Sequence, residues 1–189
     1  DVYKRQDIRD YGSGNAGTTN TMRTLGKKAG FITYFMDAFK SCITAIIIHF
    51  IYGSNSDISE MLLILYGGFG VVLGHNFPFY LGFKGGKGVA TSLGILLMTN
   101  WQLGLICLVF ALVLMALTRV VSMGSIAAAI LYPILTLFVG GGHYIVESSG
   151  LGNGYFIYSV ILAVIVIFNH RENIKRILSG TENKISFNK

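Results

Sequence analysis

The chain has 189 residues, 52% of them hydrophobic and 13% charged, with 24 glycines and a formal net charge of +6. That composition lies outside the soluble range and points to one compact multi-spanning membrane domain over 1–189, because a buried helix of a soluble protein accounts for one long apolar run but not for several. The charge needs no nucleic acid to explain it, and Cys42 and Cys107, both inside apolar runs, read as small buried hydrophobes with no disulfide or zinc pattern.

The opening, DVYKRQDIRDYGSGNAGTTN, is polar and basic and has no initiator Met, signal peptide or apolar span, which predicts a chain lacking its first segment. Within it, GSGNAGTTNTMR (12–23) combines glycines, hydroxyl and amide side chains and Arg23. Such a run can turn backbone N–H groups toward an anion, but it is not a Walker loop, since GxxxxGK[ST] is absent; on composition alone a solvated loop fits equally.

Six spans follow: 31–52, 60–81, a short 89–100, 102–118, 121–139 and 154–168. In the first, Asp37 and Lys40 read as a helical ion pair and His49 as incidental. In the second, Gly67, Gly70 and Gly74 lie on nearly one face, and the GxxxG pair Gly70–Gly74 predicts close approach of a neighbouring helix. Pro78 is predicted to bend that span near its end, and the polar pair His75–Asn76 is either helix glue or part of a site.

The next connection, GFKGGKG (82–88), places two lysines and four glycines in seven residues. It is not a P-loop, because Lys87 stands where that motif requires Gly, and not GxGxxG, because Gly86 and Gly88 are followed by Thr91. What remains is an anion-binding arrangement, two ammonium groups on a flexible loop ahead of a helix starting near Val89. An ordinary cytoplasmic charge anchor explains the lysines but not the glycines. The short third span crosses only if tilted or in a thin bilayer; its alternative is a re-entrant segment.

Between the fourth and fifth spans, TRVVSMGS supplies Arg119, a boundary marker, and Ser122 and Ser125, which suit helix packing. Pro133 is predicted to kink the fifth span, and His143 in the connection after it reads as incidental. NHRENIKRILSGTE (169–182) reads as a short basic helix stopped at Gly180. Anionic lipid accounts for Arg171, Lys175 and Arg176, whereas Asn169, His170 and Asn173 at the membrane boundary call for a cavity or a polar partner.

Fourteen of the fifteen basic residues fall in four segments, 1–30, 82–88, Arg119 and 169–189, and the remaining one, Lys40, sits in a span. With six crossings, retention of Lys and Arg on the cytoplasmic side puts both ends and all four segments inside.

Taken together, DIRDYGSGNAGTTNTMRTLG, GHNFPFYLGFKGGKGVATSLG and NHRENIKRILSGTE resemble, in order and over nearly the whole chain, the three signature segments of the PlsY family of bacterial acyl-phosphate:glycerol-3-phosphate acyltransferases. The resemblance implies an all-α membrane helix bundle of seven spans, of which this chain would lack the first. It implies transfer of an acyl group from acyl phosphate to the 1-hydroxyl of sn-glycerol 3-phosphate, giving lysophosphatidate and phosphate, at the cytoplasmic face of the bacterial inner membrane. It implies no cofactor and no metal; the partners are the two substrates and membrane lipid.

On the same resemblance, Ser13, Arg23, Lys87, His170 and Asn173 are the catalytic candidates. Gly14, Asn15, Asn20, His75, Lys84, Gly85, Gly86, Gly88 and Ser125 are the substrate-binding candidates, with the backbone amides of the glycine loop expected to close on glycerol phosphate. An acyl phosphate is already activated, and no Ser-His-Asp or Cys-His spacing appears, so direct attack by the glycerol hydroxyl is the simpler route. His170 stands as base or as binding group. A non-enzymatic transporter or lipid-binding subunit with a basic inner face is the competing class; it predicts no convergence of Arg23, Lys87 and His170.

Overall fold

The computed structural model describes residues 7–53, 59–140 and 154–185. His143, the connection 141–153 and the basic residues Lys4, Arg5 and Lys189 lie outside the described residues. Among the described residues the fold is helical: α1 (Thr18–Leu25), α2 (Lys27–Tyr52), α3 (Glu60–Asn76), α4 (Val89–Thr99), α5 (Trp101–Thr118), α6 (Val121–Gly140), α7 (Gly154–Asn169) and α8 (Arg171–Leu178). Four of these segments are long and apolar enough to span a bilayer: α2, α3 together with the turn after it, α5 and α6. A fifth is counted only if α7 and α8, which meet at a 61° bend, are taken together as one span, while α4 is a shorter apolar helix.

Helix ends follow local chemistry. Ser59 caps α3 and Asn100 caps α5, each side-chain oxygen accepting from the backbone N–H three residues on. The span read over 60–81 is broken. Helix α3 stops at Asn76, Phe77 takes φ −128°, ψ 57°, and a separate 3₁₀ turn covers Phe79–Leu81. Pro78 is the cause, since proline forces the preceding residue out of the helical region and donates no N–H. Pro133 does not interrupt α6, which stays helical from Val121 to Gly140.

Helix α2 packs on α1, α3 and α4, and the chain continues through contacts of α4 with α5, α5 with α6, and α6 with α7. The core gathers Leu65, Val72, Leu96, Leu103, Cys107, Tyr132, Tyr155 and Leu162. Close helix approach is carried by Gly67, against Thr44 and Ile48, by Gly68, against Ile95, and by Gly94, against Ala38 and Ser41. The Gly70–Gly74 pair does not serve this purpose: a methyl at either position would meet no atom within 4 Å. Helix α4 is about 16 Å long, half a bilayer core, and the chain reverses at Asn100 so that α5 returns beside it with Gly104 against Leu97.

That reversal brings the start of α4 and the end of α5 to one end of the bundle. Asn173 of α8 meets Lys87 there, and the Ile185 N–H donates to the Arg119 carbonyl over 2.7 Å.

Candidate active site

The segment before α1 is folded around one side chain. Asn20, 1% exposed, accepts from the Ser13 N–H at 2.8 Å and donates to the carbonyls of Ile8 and Tyr11, each at 2.9 Å. Its amide therefore shapes the loop, whose chain reverses at Gly12 and Gly14 with φ near +65°, the left-handed region where a side chain is strained. The Ser13 side chain is exposed, as is Arg23 in the last turn of α1. Two contacts dock this segment onto the glycine loop: Asn15 Nδ2 donates to the Gly85 carbonyl at 3.1 Å, and Arg9, paired with Asp7, donates to the Leu81 carbonyl at 2.7 Å.

The glycine loop is itself sewn to the end of α3. The Gly85 N–H donates to the Asn76 carbonyl and the Gly86 N–H to the His75 carbonyl, each at 3.1 Å. This corrects the expectation that these two amides face a phosphate: they satisfy carbonyls that a helix end leaves without partners. Glycine is required because a methyl at 85 would lie 2.0 Å from the His75 carbonyl oxygen, and one at 86 would lie 2.0 Å from His75 Nε2. Lys84 is exposed; Gly88, with φ +82°, starts α4.

Lys87 points the other way. Its ammonium donates to Asn173 Oδ1. Asn173 Nδ2 in turn donates to Glu182 Oε1 at 2.8 Å, Ser122 Oγ donates to the same oxygen at 3.1 Å, and Arg176 Nε donates to Glu182 Oε2 at 2.7 Å. Arg23 reaches the carbonyl of the next residue, Asn183, at 3.4 Å. Burial lowers the Lys87 pKa to about 8, with repulsion from Arg176 and Arg23 acting in the same sense and Glu182 opposing. Burial raises the Glu182 carboxyl, but the hydrogen bonds from Arg176, Asn173 and Ser122 outweigh it and the net direction is down.

His170 occupies the α7–α8 bend and is 3% exposed. Nδ1 lies 2.7 Å from the Val166 carbonyl, which can only accept, so Nδ1 carries the proton and Nε2 keeps its lone pair. Burial, then the charge of Lys87, pushes its pKa down to about 4, so the ring is neutral at physiological pH. Ser125, by contrast, donates within its own helix to the Val121 carbonyl.

Arg23, Lys87, His170 and Asn173 thus come to one place. Arg176, read from sequence as a lipid anchor, and Ser122, read as a packing residue, join them. Glu182, the residue that ties them together, was not singled out; a second acid after Glu172, closing a basic segment, was the available signal. His75 lies apart from this cluster. Its Nδ1 is 2.9 Å from Lys40 Nζ and 3.3 Å from Asp37 Oδ1, so the Asp37–Lys40 pair, 2.7 Å across, has a third member. His49 is paired with Glu60 at 2.8 Å.

A family model described as glycerol-3-phosphate acyltransferase matches residues 1–180. The glycerol-3-phosphate acyltransferase of Thermoanaerobacter pseudethanolicus is 40% identical over 182 residues, covering 96% of this chain and 83% of that one. That of Clostridioides difficile is 42% identical over 182 residues, covering 95% and 82%. Among solved structures, the glycerol 3-phosphate form of PlsY, an integral membrane glycerol 3-phosphate acyltransferase, superposes with a TM-score of 0.82 at 34% identity, covering 98% of this chain and 85% of that one.

Proposed function

The chain belongs to the glycerol-3-phosphate acyltransferase family, and from that membership we propose that it transfers a fatty acyl group from acyl phosphate to the 1-hydroxyl of sn-glycerol 3-phosphate, the entry step of bacterial phospholipid synthesis. The observation that carries the proposal is the junction of Lys87, Asn173, Glu182 and Arg176, with Arg23 beside it. Three cations and an amide at one end of an apolar bundle suit a small phosphate ester delivered from water to a donor delivered from lipid.

In the reaction, the glycerol oxygen attacks the acyl carbon, the carbon–oxygen bond to phosphate breaks, and the phosphate leaves with the electron pair. The hydroxyl proton goes to the departing phosphate. The second pKa of a free phosphate lies at roughly 6 or above, which makes the departing oxygens stronger bases than a histidine held near 4. His170 Nε2 then serves as the hydrogen-bond acceptor that orients the hydroxyl, and Asn173, anchored by Glu182, positions Lys87. Lys87 and Arg23 offset the charge of the glycerol phosphate and of the tetrahedral oxyanion. No acyl-enzyme is needed. We place the site at the cytoplasmic face of the inner membrane on the distribution of the basic segments, and treat 1–189 as one domain.

The test is phosphate release from palmitoyl phosphate by the purified protein in detergent or lipid, with and without glycerol 3-phosphate. Release that depends on glycerol 3-phosphate supports the assignment; activity with acyl-CoA alone, or with glycerol in place of its phosphate, overturns it.

A further inference from the structure

Asp37 and Lys40 lie midway along the 26-residue α2, on a stretch where Met36, Ile43 and Ile47 are exposed. An acid and a base within a span are costly, and such groups are kept where they hold something. Their geometry has a direction. Lys40 Nζ donates to Asp37 Oδ1 at 2.7 Å and lies 2.9 Å from His75 Nδ1. An ammonium offers donors only, so Nδ1 accepts and the ring proton sits on Nε2. Asp37 Oδ1, 3.3 Å from the same ring nitrogen, is then joined to the ring through Lys40. The carboxylate, its side chain 13% exposed, aims the ammonium, and the ammonium fixes the plane of the imidazole.

The other side of that ring meets the glycine loop. A methyl on Gly86 would lie 2.0 Å from Nε2 and 2.5 Å from Cε1, and the Gly86 N–H donates to the carbonyl of the same histidine at 3.1 Å. His75 thus grips Gly86 by ring and backbone at once. Asn76 seats the rest: its carbonyl takes the Gly85 N–H, and its side chain lies against Gly88, where a methyl would be 2.9 Å from Oδ1. With Gly85, Gly86 and Gly88 on the end of α3, Lys84 is left exposed and Lys87 is directed to Asn173. The Asn76 amide has no hydrogen-bond partner among the described residues, so His75 is the side chain that ties this seat to another helix.

We propose that Asp37, Lys40 and His75 are positioning residues for Lys87, a brace reaching from α2 through the end of α3 that fixes the root of that lysine while Asn173 fixes its tip. The proposal rests on the role given to Lys87 above, the neutralising of the acceptor phosphate. The tip contact alone does not place the ammonium, because a lysine stem is flexible and a run of glycines has no stiffness of its own. The brace supplies that stiffness from a helix that also packs on α1 and α4. Its effect is electrostatic as well as steric. Burial first, then Arg176 of α8 and Arg23 of α1, hold the Lys87 pKa near 8 against Glu182, with the neutral ring of His170 beside it. A loop released from His75 lets water reach Lys87 and undoes the largest of these causes.

The test is the pH profile of kcat/KM for glycerol 3-phosphate, measured on the full chain in detergent at saturating palmitoyl phosphate. The double variant Asp37→Leu/Lys40→Met removes both charges together and leaves no orphan ion, so it should unfold thermally like wild type. It should nevertheless lower kcat/KM at pH 7 by about tenfold or more, and its alkaline limb should move up from near 8 as Lys87 becomes hydrated. His75→Phe keeps a ring against Gly86, loses the acceptor for Lys40, and should move the limb the same way. Asp37→Asn, which keeps an oxygen for Lys40, should retain more activity than the double variant. A limb that stays in place in either the double variant or His75→Phe overturns the brace, since loss of folded protein lowers activity without moving it. A loss confined to the KM for palmitoyl phosphate also overturns it and assigns the pair to the donor. If the double variant does not fold, His75→Phe alone decides. A wild type whose phosphate release ignores glycerol 3-phosphate refutes the acceptor role of Lys87 itself; a dependent wild type with unmoved limbs in the variants refutes only the brace.

Discussion

The ammonium of Lys87 donates to the side-chain carbonyl of Asn173, joining the loop before α4 to helix α8 across 86 residues of chain. Each group disciplines the other. Asn173 is held from behind by Glu182, so Lys87 is aimed, and Lys87 in turn keeps a positive charge against the neutral ring of His170.

Because burial and neighbouring cations bring Lys87 down to about 8, its charge is complete below that pH and fades above it. Affinity for glycerol 3-phosphate is expected to hold up to pH 7 and fall through pH 8–9. Lys87→Arg should displace that alkaline limb upward, since guanidinium does not titrate there, and Lys87→Met should lower kcat/KM for glycerol 3-phosphate by roughly 30-fold or more at pH 7. A pH profile of kcat/KM for the three proteins decides it; an alkaline limb that stays in place in Lys87→Arg belongs to another group.

His170 sets an acid limit on stability. The unfolded chain protonates histidine near 6.5 and the native protein only near 4, so the contribution is full above 6.5 and is lost as pH falls toward 4. The whole gap is worth roughly 3 kcal/mol. Unfolding in detergent followed between pH 7.5 and 4.5 should show a smaller acid loss in His170→Gln than in wild type, and parallel curves would contradict this.

Glu182, with its side chain 5% exposed, carries three hydrogen bonds from two helices, α6 and α8. Removing it in Glu182→Ala leaves Arg176 without its carboxylate and Asn173 free to rotate, and both stability and turnover should fall, stability by about 3 kcal/mol. Glu182→Gln keeps an oxygen for Asn173 and should retain more turnover than Glu182→Ala. Equal turnover in the two variants would show that Asn173 does not depend on it.

Gly86→Ala is expected to abolish activity and to lower the melting temperature, because its methyl would overlap His75 Nε2, whereas Gly70→Ala meets open space and should fold like wild type. Thermal unfolding of the two, side by side, separates a packing requirement from mere loss of flexibility.

Much of this was legible beforehand. Apolar run lengths gave the helices to within a few residues, and glycines beside lysines marked the loop that matters. Pro78 was seen but underestimated, because the sequence pattern continues apolar through Leu81 while the backbone cannot. The direction of the Gly85 and Gly86 amides was out of reach, since it depends on which carbonyls the end of α3 leaves unpaired. Spacing three apart identified the Asp37–Lys40 pair, but nothing local could add His75, which arrives from another helix. Glu182 escaped for the same reason: its partners come from α6 and α8, and from sequence it is one acid among bases.

The stitching of Gly85 and Gly86 to the last two carbonyls of α3 makes that helix a ruler. Its 17 residues, about 26 Å, run from a serine cap at one end to the glycine loop at the other. One residue inserted between them would lower the loop by about 1.5 Å and swing it through about 100°. The length of α3 therefore sets how deep below the water the glycine loop lies, and a bilayer of different thickness would ask for a helix of different length.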